Sequence, residues 1–142
     1  MQIQLVFGII LLFGSWQMNL SRSIFESGPP SYKRSTCRIE PQGDGLKVVY
    51  DMVGVRGGVI HLEWSGKLDG NDYPVQGMDE VITNAYTKVD DRTFDIIVKV
   101  DGNKAATART VIAPDGKSMT TTTMSRNAQG QTVKTVVVYE RL

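Results

Sequence analysis

One cysteine and one histidine among 142 residues leave little material for the commoner chemistries of a small protein. A lone Cys37 can form no internal disulfide, so the redox compartment cannot be read from it. Metal sites need clustered His or Cys ligands, and none are clustered here, so no metal ligand is expected. Ser-His-Asp or Cys-His catalysis would have to use His61, around which no nucleophile motif is found. No catalytic residue and no cofactor are therefore expected. The 16 Lys and Arg are balanced by 15 Asp and Glu, interleaved along the chain. Without a basic stripe, a nucleic-acid partner is not expected. The glycines fall in turn signals rather than at a strand-to-helix junction, which excludes a phosphate loop. No amphipathic helix of useful length is evident, because Gly, Pro or β-branched runs interrupt every stretch of helical spacing.

Charge is also missing from the beginning: the first basic residue is Arg22 and the first acidic one Glu26. Within that stretch, 3–13 is a nearly unbroken apolar run, far short of the roughly 20 residues that cross a bilayer. It suits the apolar region of an export signal, although no Lys or Arg precedes it and no small-residue cleavage site follows. A degenerate or truncated signal is the favoured reading, placing 1–13 apart from a folded domain of 14–142 and the protein outside the cytoplasm, periplasmic or secreted. Membrane contact is then expected only through this segment if it is not cleaved. The alternative is a buried first strand in a cytoplasmic protein.

After residue 40 the chain is punctuated at even intervals by turn signals: Gly43-Asp44-Gly45, Arg56-Gly57-Gly58, Asp69-Gly70-Asn71, Asp90-Asp91, Asp101-Gly102-Asn103, Pro114-Asp115-Gly116 and Ala128-Gln129-Gly130. Such pairs supply the positive φ angles of tight hairpins, and the runs between them are rich in Val, Ile, Thr and Tyr. Nine strands are predicted, near 12–18, 32–40, 46–53, 59–67, 81–89, 93–100, 104–113, 118–126 and 132–140. Leu46, Val48, Tyr50 and Met52 alternate with Lys47 and Asp51; Ile60, Leu62 and Trp64 with His61 and Glu63; Phe94, Ile96, Val98 and Val100 with Asp95 and Lys99. An antiparallel meander with one buried face must deal with two free edges, most simply by closing. The expected fold is all-β, a single antiparallel up-and-down barrel of about eight to ten strands. Two longer connections, 21–31 and 69–78, are expected to frame its mouth.

Phe13-Gly14-Ser15-Trp16, followed by Ile24-Phe25, resembles the Gly-x-Trp first strand of the calycins, the superfamily of lipocalins and fatty-acid-binding proteins. Val138-Tyr139-Glu140-Arg141 is similar to the end of fatty-acid-binding proteins. The wider pattern, with its Gly-Pro-Pro loop, Asp69-Gly70-Asn71-Asp72-Tyr73-Pro74 and Asn127-Ala128-Gln129-Gly130, resembles small exported bacterial lipocalin-like proteins. The resemblance implies a barrel that holds a small ligand. In fatty-acid-binding proteins an Arg-x-Tyr on the last strand and a second Arg hold a carboxylate. Tyr139 matches that Tyr, Val137 stands in place of the Arg, and Arg109 falls where the second Arg is expected. A single Arg with a phenol compensates a carboxylate less well than two, so an open lipocalin-like mouth fits better.

The favoured function is non-enzymatic binding of a small apolar or amphipathic, hydrophobic ligand. Arg109 and Tyr139 are its expected polar contacts, and Trp64, Tyr50 and Phe94 its apolar walls. Arg109 lies among small residues, Ala105-Ala106-Thr107-Ala108, which leave room for a guest, although an outward Arg on a solvated face is the plainer reading. Two alternatives stay open: a packed barrel at the cell envelope acting through its surface, and, more remotely, a haem-binding or enzymatic calycin built on His61. Cys37, between Arg34 and Arg38, reads as a small buried hydrophobe. The hydroxyls of Thr120 to Thr123 are expected to bond to neighbouring strands.

Overall fold

Period-two alternation resolves into ten strands in a computed structural model that describes residues 11–26, 30 and 32–142. They are β1 (Gly14–Phe25), β2 (Tyr32–Gln42), β3 (Gly45–Gly54), β4 (Val59–Gly66), β5 (Tyr73–Gln76), β6 (Ile82–Asp90), β7 (Thr93–Val100), β8 (Asn103–Ile112), β9 (Ser118–Arg126) and β10 (Thr132–Arg141). Each pairs antiparallel with the next, and β1 closes on β10, so the sheet is a continuous up-and-down barrel without a free edge. Of the possible signal at 1–13, residues 1–10 lie outside the described residues, whereas Leu11, Leu12 and Phe13 are described and pack with the core. No helix among the described residues is long and apolar enough to cross a membrane.

Three expectations are corrected. Ser21 to Phe25 belongs to β1 rather than to a loop: the strand breaks register after Asn19, so that 20–23 lie opposite Val137 alone, and then resumes with Ile24 opposite Val136. The Ser23 hydroxyl accepts the Val138 N–H at 3.0 Å, which satisfies the ladder across this irregularity. A tenth strand, β5, occupies four residues of the connection expected at 69–78. It was hidden by its brevity and by Pro74, which signals a strand interruption. Finally, the two longer connections lie at opposite ends of the barrel. In an up-and-down barrel, connections after odd strands gather at one end and those after even strands at the other. The connection after β1 therefore cannot sit beside the one after β4.

The end reached by β2, β4, β6, β8 and β10 is sealed. Trp16, Leu46, Phe94 and Ile112 are at most 1% exposed there, packed with Leu12, Ile39, Val48 and Met119. Burying each such side chain is worth roughly 1.5–3 kcal/mol. The void remaining among them is about 10 Å³, space for a single water at most. Arg141 closes this end from below. Its Nε donates to Gly116 O at 2.9 Å, Nη1 to Phe13 O and Nη2 to Leu11 O at 2.7 Å each, and its guanidinium lies 4.1 Å from the centre of the Trp16 ring. Trp16 Nε1 in turn donates to Leu12 O at 3.0 Å. The two resembling motifs, at opposite ends of the sequence, thus meet in one contact. Gly14 is required beneath it: its φ is +134°, and a Cβ there would stand 2.7 Å from Arg141 Nη1.

Candidate functional site in the barrel lumen

Inward-facing side chains change along the barrel axis. On β7, Phe94 and Ile96 are buried while Val98 and Val100 keep solvent contact; on β8, Ile112 and Thr110 are buried while Ala108 and Ala106 are not; on β9, Met119 is buried while Thr121, Thr123 and Ser125 are partly exposed. On β10 the same step separates Tyr139 from Val137, Thr135 and Val133. Four adjacent strands thus open towards the same end, the one carrying the connections after odd strands. Two of them, β8 and β9, line the open half with the short side chains of Ala, Thr and Ser.

Polar groups collect at the floor of this half. The Ser35 and Tyr139 hydroxyls lie 2.9 Å apart, both residues being buried, and the Tyr50 ring meets the Tyr139 ring edge-on at 6.4 Å. Cys37, on the same face of β2 as Ser35, stands opposite Tyr50 on β3. Burial raises the Cys37 thiol to about 12 against the lowering effect of the neighbouring Tyr50 phenol, so the nearby Arg34 and Arg38, both exposed, do not activate it. Burial likewise raises Tyr139 to about 12, and raises Tyr86. Tyr50 is raised by electrostatic competition with Cys37 and then by burial. Thr110 and Thr121 share a hydroxyl bond of 2.8 Å across β8 and β9, as expected for inward threonines on adjacent strands.

Of the five side chains singled out in the sequence, four face the interior. Tyr139 and Tyr50 stand at the floor. Trp64 is wedged beside them, donating Nε1 to Tyr73 O at 3.1 Å and Asn84 O at 3.0 Å, with the Tyr86 ring 4.4 Å away. The bare Cα of Gly66 makes room for this packing, since a Cβ there would meet the Tyr73 ring at 2.6 Å. Phe94 is fully buried in the sealed half, below the open space. Arg109 faces the other way. Its guanidinium grips Asp95 with two bonds, Nε to Oδ1 at 2.7 Å and Nη2 to Oδ2 at 2.9 Å, on the outer face of β7 and β8. It lies in an outer-face groove of about 990 Å³ flanked by Ile97, Val111, Thr122 and Met124. This concavity is therefore on the outside of the wall. Ser35 and Asn84 are the lumen-facing polar residues missed in the sequence. The alternation Ser35, Cys37, Ile39 could have revealed the first; Asn84, amid Ile82 and Tyr86, shares their face.

His61 also faces outward, so it is not placed to hold a haem in the lumen. Its Nδ1 lies 2.6 Å from Asp51 Oδ1 and its Nε2 2.7 Å from Glu63 Oε2, and Lys47 approaches Glu63 at 3.3 Å. Hydrogen bonds to Glu63 and Asp51 raise the imidazole above its ordinary value of 6.5, and the bond to His61 lowers Glu63. A raised His61 contributes stability in full below its unfolded pKa and loses it as pH rises through the folded one. A lowered Glu63 contributes above its unfolded pKa and loses its share as pH falls through the folded one. The sole histidine resonance should accordingly titrate with a midpoint above 6.5 in an NMR pH series, and Glu63→Gln should move it down. A native midpoint at or below 6.5 would contradict this double contact.

No protein-family model matches the chain, and no curated protein matches it in sequence. Solved structures do match in fold. The zebrafish ileal bile acid-binding protein complexed with cholic acid is 11% identical, with a TM-score of 0.56 over 93% of this chain and 99% of that one. A redesigned β-barrel, mFAP1, bound to DFHBI is 17% identical, with a TM-score of 0.53 over 94% of this chain and 98% of that one. EF1p2_mFAP2b bound to DFHBI is 14% identical, with a TM-score of 0.54 over 95% of this chain and 97% of that one. At these identities the likeness is one of architecture: the chain shares with these structures the fold of a closed antiparallel barrel, here of ten up-and-down strands.

Proposed function

We propose that this chain is a non-enzymatic binding protein that holds a small apolar or amphipathic molecule in the open half of its barrel. The carrying observation is the stepwise loss of burial along β7, β8, β9 and β10, which leaves short side chains around a lumen with a hydroxyl-bearing floor. The bile acid complex and the two DFHBI complexes are barrels of the same fold with bound small molecules, which supports the reading. Tyr139, Tyr50 and Trp64 form the inner wall. Titration with the neutral fluorophore N-phenyl-1-naphthylamine is expected to give a saturable rise in emission, lost in Ala108→Trp, whose indole fills the lumen. Absence of saturation, or an unchanged signal in folded Ala108→Trp, would remove the proposal. An extracytoplasmic location belongs to the same proposal, and N-terminal sequencing of the native protein tests it.

The outer groove around Arg109 and Asp95 favours a second reading, a barrel that acts through its surface, because Ile97, Val111 and Met124 are each about 40% exposed there. The two readings separate on a pair of variants: Ala108→Trp is expected to abolish lumen binding, whereas Met124→Asp alters the outer groove and should leave it intact.

A further inference from the structure

We infer that the lumen selects uncharged ligands and rejects carboxylates and other anions, because no cation faces its open half. This rests on the proposed lumen site. Among the described residues, the inward positions of that half carry aliphatic, aromatic, hydroxyl and amide side chains, and none is Lys, Arg, Asp or Glu; Lys33, at the register shift of β2, is exposed. Arg109 is outside with Asp95, Arg141 is committed to three carbonyls at the sealed end, and Lys88, on the inward register of β6, is paired with Asp91 at 3.1 Å, also at that end. The segments 1–10, 27–29 and 31 contain no Lys, Arg, Asp or Glu to supply a charged side chain.

What the lumen does offer is neutral hydrogen bonding. The Ser35 and Tyr139 hydroxyls can each donate or accept, and the buried side-chain oxygen of Asn84 has no donor among the described residues. The same surroundings that raise the Cys37 thiol and Tyr139 phenol to about 12 disfavour any buried anion, a ligand carboxylate included. The fitting guest is an apolar body with an alcohol, phenol, amide or carbonyl group that reaches the Tyr139 and Ser35 hydroxyls. Val137, one position removed from Tyr139 on the same inward face, is where a guanidinium would have to stand to reverse this selection.

The test compares N-phenyl-1-naphthylamine with 1-anilinonaphthalene-8-sulfonate, which adds a sulfonate to the same ring system. The neutral probe is expected to bind at least about tenfold more tightly, because the sulfonate must be desolvated without a partner. Val137→Arg should narrow or invert that ratio, with Thr135→Lys, nearer the mouth, serving if the first variant fails to fold by circular dichroism. Equal or tighter binding of the sulfonate to the native protein, abolished by Ala108→Trp, overturns the selectivity while leaving the lumen site standing. Failure of both probes to bind overturns the lumen site itself.

Discussion

Arg141→Ala is expected to destabilise the barrel by about 3 kcal/mol, and Trp16→Ala by about 3–5 kcal/mol. The two values rest on different physics. Trp16 is fully buried, so its removal loses transfer free energy and leaves a cavity that the closed sheet cannot collapse to fill. Arg141 is partly exposed and contributes through charge-assisted bonds to three carbonyls together with its position over the Trp16 ring. Arg141→Lys should recover only part of the loss, because a single ammonium cannot span Leu11, Phe13 and Gly116 in the plane of a guanidinium fork. Thermal unfolding should show Arg141→Ala melting about 10 °C lower. The double variant should be less destabilised than the sum of the two singles, because the residues touch. Full additivity, or a shift of only a degree or two in Arg141→Ala, would show that the contact contributes little.

Trp64→Ala should cost a similar amount, about 3–5 kcal/mol, and Trp64→Phe about 1–2 kcal/mol. The phenylalanine variant retains the aromatic packing against Tyr73 and Tyr86 while depriving the Tyr73 and Asn84 carbonyls of their shared donor. Urea unfolding of the pair therefore separates hydrogen bonding from packing at one site. If Trp64→Phe proves as damaging as Trp64→Ala, the indole N–H outweighs the ring, contrary to this assignment.

The architecture was legible because hairpin chemistry is local: Asp101-Gly102 or Pro114-Asp115-Gly116 marks a turn whatever surrounds it, and β7 and β9 fall on their predicted bounds of 93–100 and 118–126. β5 was not legible, since four residues containing a proline carry too little pattern to distinguish strand from loop. The orientation of the candidate side chains was partly legible. Alternation with buried neighbours places Tyr50, Trp64, Phe94 and Tyr139 inside. The same rule applied to β8 places Arg109 outside, once Ala108, Thr110 and Ile112 are seen to be the inward set. What obscured this in the sequence is that Ala and Thr fit either face, so β8 announces no register of its own. Its Arg is fixed by Asp95 on the neighbouring strand, a pairing visible only once β7 and β8 are aligned.

The seam between β1 and β10 also governs when the molecule can form. Trp16 pairs with Arg141, so nearly the whole chain must be synthesised before its first strand finds its last partner. Until β10 has emerged, β1 and β9 each present an unpaired edge, and the sealed end lacks the guanidinium that ties Leu11 to Gly116. Closure by so non-local a contact is intrinsically slow, and until it occurs those edges are open to pairing with other strands.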